Sequence, residues 1–148
     1  MTLKAIDEKL IKLLGTDARQ SAEKLAKRLK VSPTTVRRRL KTITRNGTIR
    51  TVAVVDPVKA GIGLQAVICF NITHEDADNI VKTLEKFSEV KWIGITTGRY
   101  DIIVKAAFVS TAELSDFIQK KLSGVRGIKD TETFICLDVN GGRFIELA

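Results

Sequence analysis

The sequence predicts an α+β protein built in two parts, a helical N-terminal unit followed by a mixed one, and three observations carry that reading. Residues 1–60 hold 15 Lys/Arg against 5 Asp/Glu, whereas residues 61–148 hold 10 against 12, so net charges of +10 and −2 sit on successive parts of a chain of net +8. Apolar residues recur with helical spacing through about residue 45, and beyond residue 61 strand-like and helix-like runs follow in the order βαββαβ. With 148 residues, 44% hydrophobic and 28% charged, the chain suits one ordinary or two small globular domains. We place the domains at 1–60 and 61–148, with the Gly-bearing stretch Lys59-Ala-Gly-Ile-Gly63 as the joint.

In the first helix Leu3, Ile6, Leu10, Leu13 and Leu14 share a face, and Gly15 ends it. Ser21 is the expected N-cap of a second, short helix that buries Ala22, Leu25, Ala26 and Leu29. Ser32-Pro33 starts a third, to about Arg45, because Ser caps and Pro suits the first helical position. Its apolar residues, Val36, Leu40 and Ile43, form one narrow stripe. At 100° per residue Thr34, Arg38, Lys41 and Arg45 lie opposite, with Thr35 and Thr42 on one flank and Arg37 on the other.

Two short helices joined by a tight turn make a helix-turn-helix. A helix entering a major groove about 12 Å wide needs a narrow core side and an outer face of hydrogen-bonding and cationic side chains. The expected partner is therefore double-stranded DNA. Thr34, Thr35 and Arg38 are candidates for base edges, and Arg37, Lys41 and Arg45 for phosphates. Ser32 is a cap that also reaches a phosphate, and Arg39, nearer the stripe, pairs within the domain. Thr48–Val55 reads as a strand, ended by Asp56-Pro57, which makes the unit a winged helix-turn-helix.

The second part reads as strand (Leu64–Ile72), helix (about Glu75–Phe87), strand (Val90–Thr97), strand (Asp101–Phe108), helix (Thr111–Leu122) and strand (Lys129–Val139). This is the ferredoxin-like order, an antiparallel sheet with both helices on one face. Ala66–Phe70 and Ile102–Val104 are apolar at successive positions, so both faces of the sheet need cover; a second subunit would supply it as a two-fold dimer.

Catalytic chemistry finds little footing. Ser115-Asp116 and the single histidine, His74, form no triad, and His74 opens a polar turn where a solvent-exposed role suffices. Cys69 and Cys136 lie in apolar runs as small hydrophobes, and with one histidine they make no metal set, so we expect no enzyme, cofactor or metal. No apolar run approaches the roughly 20 residues of a membrane span, and the N-terminus lacks a signal-peptide core, so a cytoplasmic protein is expected. On physical grounds Thr96-Thr-Gly-Arg-Tyr-Asp101 is a hairpin turn.

Taken in order, Ile6-Asp7, Leu10–Leu14, Asp17-Ala18-Arg19, Leu25-Ala26, Val31–Leu40, Gly47-Thr48-Ile49, Asp56-Pro57, Gly61, Val90, Thr97–Asp101 and Gly127-Ile128 resemble the Lrp/AsnC transcriptional regulators over nearly the whole chain. The resemblance implies homodimers through the ferredoxin-like part, often assembled into tetramers or octamers. It implies a linker strand near Arg50–Val55 that pairs between subunits. It also implies a small-molecule effector, usually an amino acid, bound between dimers near the loop of Gly98, Arg99, Tyr100 and Asp101. The chain departs at Lys4, where an acidic residue is usual, and at Thr42-Ile43-Thr44. Two other readings share the fold: an effector-independent architectural DNA-binding protein, and a siroheme-decarboxylase-like subunit, whose histidine chemistry a single His74 serves poorly.

Overall fold

A computed structural model describes residues 3–142 and 144–146. Contacts divide the chain into two units after Val52.

In the first unit, α1 (Ala5–Thr16), α2 (Ala22–Leu29) and α3 (Pro33–Arg45) enclose a core of Leu10, Leu25, Ala26 and Val36, with Ile43 also buried. Ser21 and Ser32 cap as expected, each accepting from the backbone N–H three residues on. Gly15 is not the stop of α1, which runs one residue further and ends where Asp17 turns extended. The turn into α3 is made by Lys30 in the left-handed region, φ 54°. Its N–H and that of Val31 return to the carbonyls of Lys27 and Ala26. Gln20, buried between α1 and α2, ties the preceding loop: its Nε2 donates to Leu13 O at 2.8 Å and Asp17 O at 3.0 Å, and its Oε1 accepts from Arg28.

The strand expected over 48–55 is reduced to two residues, β1 (Val54–Val55), and residues 48–53 carry no regular structure. The sequence places the junction at 60/61, but β1 pairs with β6 (Ile145–Glu146) and so goes with the second unit. Backbone pairing, not linker composition, sets where the chain divides.

The second unit consists of β2 (Leu64–Ile72), a 3-10 turn (His74–Asp76), α4 (Ala77–Leu84), β3 (Val90–Ile95), β4 (Ile102–Phe108), α5 (Thr111–Asp116) and β5 (Ile128–Ile135). Sheet order is β3-β4-β2-β5, all antiparallel, which is the ferredoxin-like arrangement. The segment after α5 widens into a π turn at Phe117–Lys121, with Leu122 N–H bonded to Phe117 O, then tightens to a 3-10 turn. β5 stops at Ile135 rather than Val139 because β2 begins at Leu64: Cys136 N–H still reaches Gln65 O, and beyond it no strand among the described residues pairs with it.

Ala66, Ile68, Phe70, Ile102, Val104, Ala106 and Phe108 pack on Ile80, Leu84, Leu114 and Phe117 from the helices. Phe117 meets the rings of Phe87 and Phe108 edge-on, each at 5.4 Å between centroids. Alternation along the strands sends Val67, Cys69, Trp92, Ile103 and Phe134 to the other face. Trp92 and Phe134 are half exposed there. The indole of Trp92 lies over Gly94, where a Cβ would collide with it, and Lys105 Nζ stands 6.0 Å from the ring centroid.

Candidate nucleic-acid interface and effector loop

The outer face of α3 follows from how its inner face is held. Val36 and Ile43 are buried, and on the same side Arg39 binds Asp7 of α1 at two points along one guanidinium edge, Nε donating to Oδ1 at 2.7 Å and Nη2 to Oδ2. Asp7 is only 2% exposed. The hydrogen bond from Arg39 outweighs burial and holds the Asp7 carboxyl below the usual carboxylate range; the same bond raises the guanidinium. Arg39 is therefore a brace between α1 and α3, as its place beside the stripe suggests.

Opposite, Thr34, Arg38, Lys41 and Arg45 are all exposed. Among the described residues Arg38, Lys41 and Arg45 form no ion pair. Arg37 is exposed as well, but forms an ion pair with Glu23 of α2. Ser32 Oγ accepts from Thr35 N–H at 3.1 Å and lies 2.9 Å from Thr35 Oγ1, so both hydroxyls belong to the helix cap. The face thus has a cap at its N-terminus, three uncommitted cations along it, and a fourth cation held by one carboxylate.

In the second unit the β3–β4 loop carries the other expected group. Gly98 has φ +117°, a conformation that L side chains rarely adopt. Asp101 is anchored three times: its N–H donates to Phe70 O, its O accepts from Thr96 N–H, and its Oδ2 accepts from Ile72 N–H at 2.9 Å. Thr96 Oγ1 donates to Tyr100 O, which closes the loop. The Arg99 guanidinium lies 5.3 Å from the centroid of the Tyr100 ring. Gly98, Arg99, Tyr100 and Asp101 therefore form one compact loop with an anion and a cation two residues apart.

Sequence reasoning missed two groups and one contact. Asp7 lies in helical phase with Leu10 and Leu14, and there a buried carboxylate demands a partner. Glu89, immediately before β3, is buried and paired with Lys121 from the π turn. Burial, the largest single influence, pushes its carboxyl up, but the bond and charge of Lys121 together with hydrogen bonds from its own backbone and Ser88 leave it below its ordinary value. His74, 83% exposed as expected of a polar turn, nevertheless stands 4.0 Å from Asp101. The last two pairings join residues about thirty positions apart and left no local signal. Cys69 is buried, and burial followed by the nearby charge of Glu132 pushes its thiol up, which suits an inert side chain. Among the described residues no cluster of three metal-binding side chains occurs, and no helix is long and apolar enough to cross a membrane.

Comparison with known proteins gives a consistent answer. Residues 3–42 match the AsnC-type helix-turn-helix domain, and residues 65–140 match the Lrp/AsnC ligand binding domain. The chain is 36% identical over 138 residues to an uncharacterised HTH-type transcriptional regulator of Pyrococcus furiosus, covering 93% of each. It is 31% identical over 135 residues to the regulatory protein AsnC of Haemophilus influenzae, covering 90% of each. Among solved structures, AsnC of E. coli superposes with a TM-score of 0.82 at 27% identity, over 94% of this chain and 95% of that one. A Neisseria meningitidis transcriptional regulator, solved as its complex with L-Met, gives 0.81 at 27% identity, over 93% and 91%.

Proposed function

This chain belongs to the Lrp/AsnC family of DNA-binding transcriptional regulators, and from that premise we propose that it is a sequence-specific regulator whose operator binding is modulated by an amino acid or a related small molecule. The outer face of α3 carries the first half of this reading. Thr34 and Arg38 read base edges, with Thr35 contributing where its hydroxyl leaves the cap, and Arg37, Lys41, Arg45 and the Ser32 end of the helix meet phosphates. Arg37 reaches DNA by giving up Glu23, an exposed partner that costs little to lose.

The second half rests on the β3–β4 loop. Asp101 supplies an anchored carboxylate for an ammonium group, and Arg99 with the loop backbone at Gly98 and Tyr100 supplies the complement for a carboxylate. The bound L-Met of the Neisseria relative supports an amino acid as the ligand class. The apolar open face of the sheet supports a homodimer, in which Trp92, Phe134, Ile103 and Val67 of two copies bury one another. Tetramers or octamers would follow by assembly of such dimers.

The test is selection of DNA from a random pool, followed by affinity measurement against salt. A dimer that neutralises about 6–10 phosphates loses roughly 10³–10⁵ in affinity between 50 and 200 mM salt. Arg38→Ala should cost about 1–3 kcal/mol and relax the preference at one base position, whereas Lys41→Ala should weaken all sequences alike and reduce the salt slope by about 1. Equal binding to a selected site and to its shuffled sequence would instead make this an architectural DNA-binding protein.

A further inference from the structure

Both charged groups of the β3–β4 loop already face a counter-group from elsewhere in the same unit. His74 Nε2 stands 4.0 Å from Asp101 Oδ1, and Arg99 Nη2 stands 4.0 Å from Glu132 Oε2. These contacts differ in kind from those that fix the loop. Asp101 is held by three hydrogen bonds to β2 and β3 residues or their flanks, one of which occupies Oδ2 and leaves Oδ1 toward His74. His74 belongs to a single turn of 3-10 helix and is exposed. Glu132 is on β5, paired with Cys69 across the ladder, and Arg99, 81% exposed, reaches it at the limit of an ion pair. Solvated contacts of this length contribute little to stability, so each is easily exchanged for a better partner.

The chemistry of the two counter-groups is that of the ligand's two ends. An imidazole N–H facing a carboxylate takes the place of an ammonium, and a carboxylate facing a guanidinium takes the place of an α-carboxylate. We propose that His74 and Glu132 are internal competitors for the effector site: they occupy the positions that the ammonium and carboxylate of a zwitterionic ligand take, and the affinity of the site is set by displacing them. The proposal rests on the effector reading above and adds two specificity-determining residues to it. It also accounts for a loop whose two charged side chains find their counter-charges on other elements rather than on its own hairpin.

The experiment uses the full chain and isothermal titration with whichever of the twenty L-amino acids gives the largest thermal shift, together with its C-terminal amide and its N-acetyl derivative. Glu132→Gln should tighten the amino acid about two- to five-fold, the gain expected on releasing an exposed pair, and should leave the amide unchanged, since it has no carboxylate to compete. His74→Ala should tighten the amino acid by a similar factor and leave the N-acetyl derivative unchanged. A merely structural role for either residue would shift all three ligands together. If both variants bind the amino acid as the unaltered chain does, or more weakly, while Arg99→Ala and Asp101→Asn abolish binding, the competitor role is overturned and the effector site stands. If no amino acid shifts either the unaltered chain or the H74A/E132Q double variant, or if Arg99→Ala and Asp101→Asn leave affinity unchanged, the effector site itself is overturned and the competitor role with it.

Discussion

At the scale of single residues, the pair Asp7–Arg39 decides more than its position in the chain suggests. A carboxylate 2% exposed survives in a helical core only because a guanidinium binds it at two points. Asp7→Ala leaves Arg39 without that partner and should destabilise the first unit by about 3 kcal/mol, read as an earlier loss of helical circular dichroism. The single tryptophan, Trp92, lies in the second unit, so its fluorescence transition should move much less and serves as the internal control. The pair also fixes a pH dependence. Because the folded state holds the Asp7 carboxyl below its unfolded value, near pH 4, the unfolded chain binds the proton more readily. The stabilisation is therefore complete above about pH 4 and lost as pH falls through the folded value. Glu89, also held low beside Lys121, has the same sign in the second unit. Both transitions should move to lower temperature on acidification, and Asp7→Asn should flatten that response for the circular dichroism transition alone.

At the scale of elements, the helices were legible because their signals are local. Ser21, Ser32 and Pro33 mark helix starts, and the Val36–Leu40–Ile43 stripe fixes the phase of α3, hence which side of it is free for DNA. The ends of strands were not, because a strand ends where its partner ends: β5 stops near the start of β2, and the run 48–55 keeps only the two residues that β6 pairs. The joint between β5 and the 3-10 turn before α4 offers a test of such tertiary control. Gly127 has φ +92°, its O accepts from Thr73 N–H at 2.8 Å, and a Cβ there would stand 3.0 Å from Asp76 Cβ and Ile80 Cδ1. Gly127→Ala should cost about 1–3 kcal/mol, seen in the Trp92 fluorescence transition while the helical unit melts as before. An unchanged transition would mean that the joint relaxes without strain.

At the scale of the whole molecule, the sheet has a helix-covered face packed internally and an open face with Val67, Ile103, Trp92 and Phe134. An exposed apolar patch of this kind marks an interaction surface, and the homodimer proposed above assigns it to a second copy. Trp92→Glu or Phe134→Glu places charge in that face, and because both side chains are half exposed in the single chain, the fold should hold. Sedimentation should then shift from dimer to monomer, with a dimer-dependent fall in DNA affinity, since one recognition helix per particle replaces two. A variant that remains dimeric would place the interface elsewhere.

Composition, capping and periodicity were enough to give this protein two units, a third helix with a polar, cationic outer face and a βαββαβ order, because each of these depends on neighbours within a few turns of chain. The charge split and the Ser-Pro start of α3 are properties of the sequence before any folding. The tertiary structure alone decided which charges are spoken for. Arg39 is taken by Asp7, Arg37 by Glu23, Lys121 by Glu89, and Arg99 faces Glu132 while His74 faces Asp101. These pairs span 14 to 32 positions wherever their hydrogen bonds are resolved. Pairing at that range depends on where packed elements bring side chains together, and a periodic pattern in one segment carries no information about its partner in another.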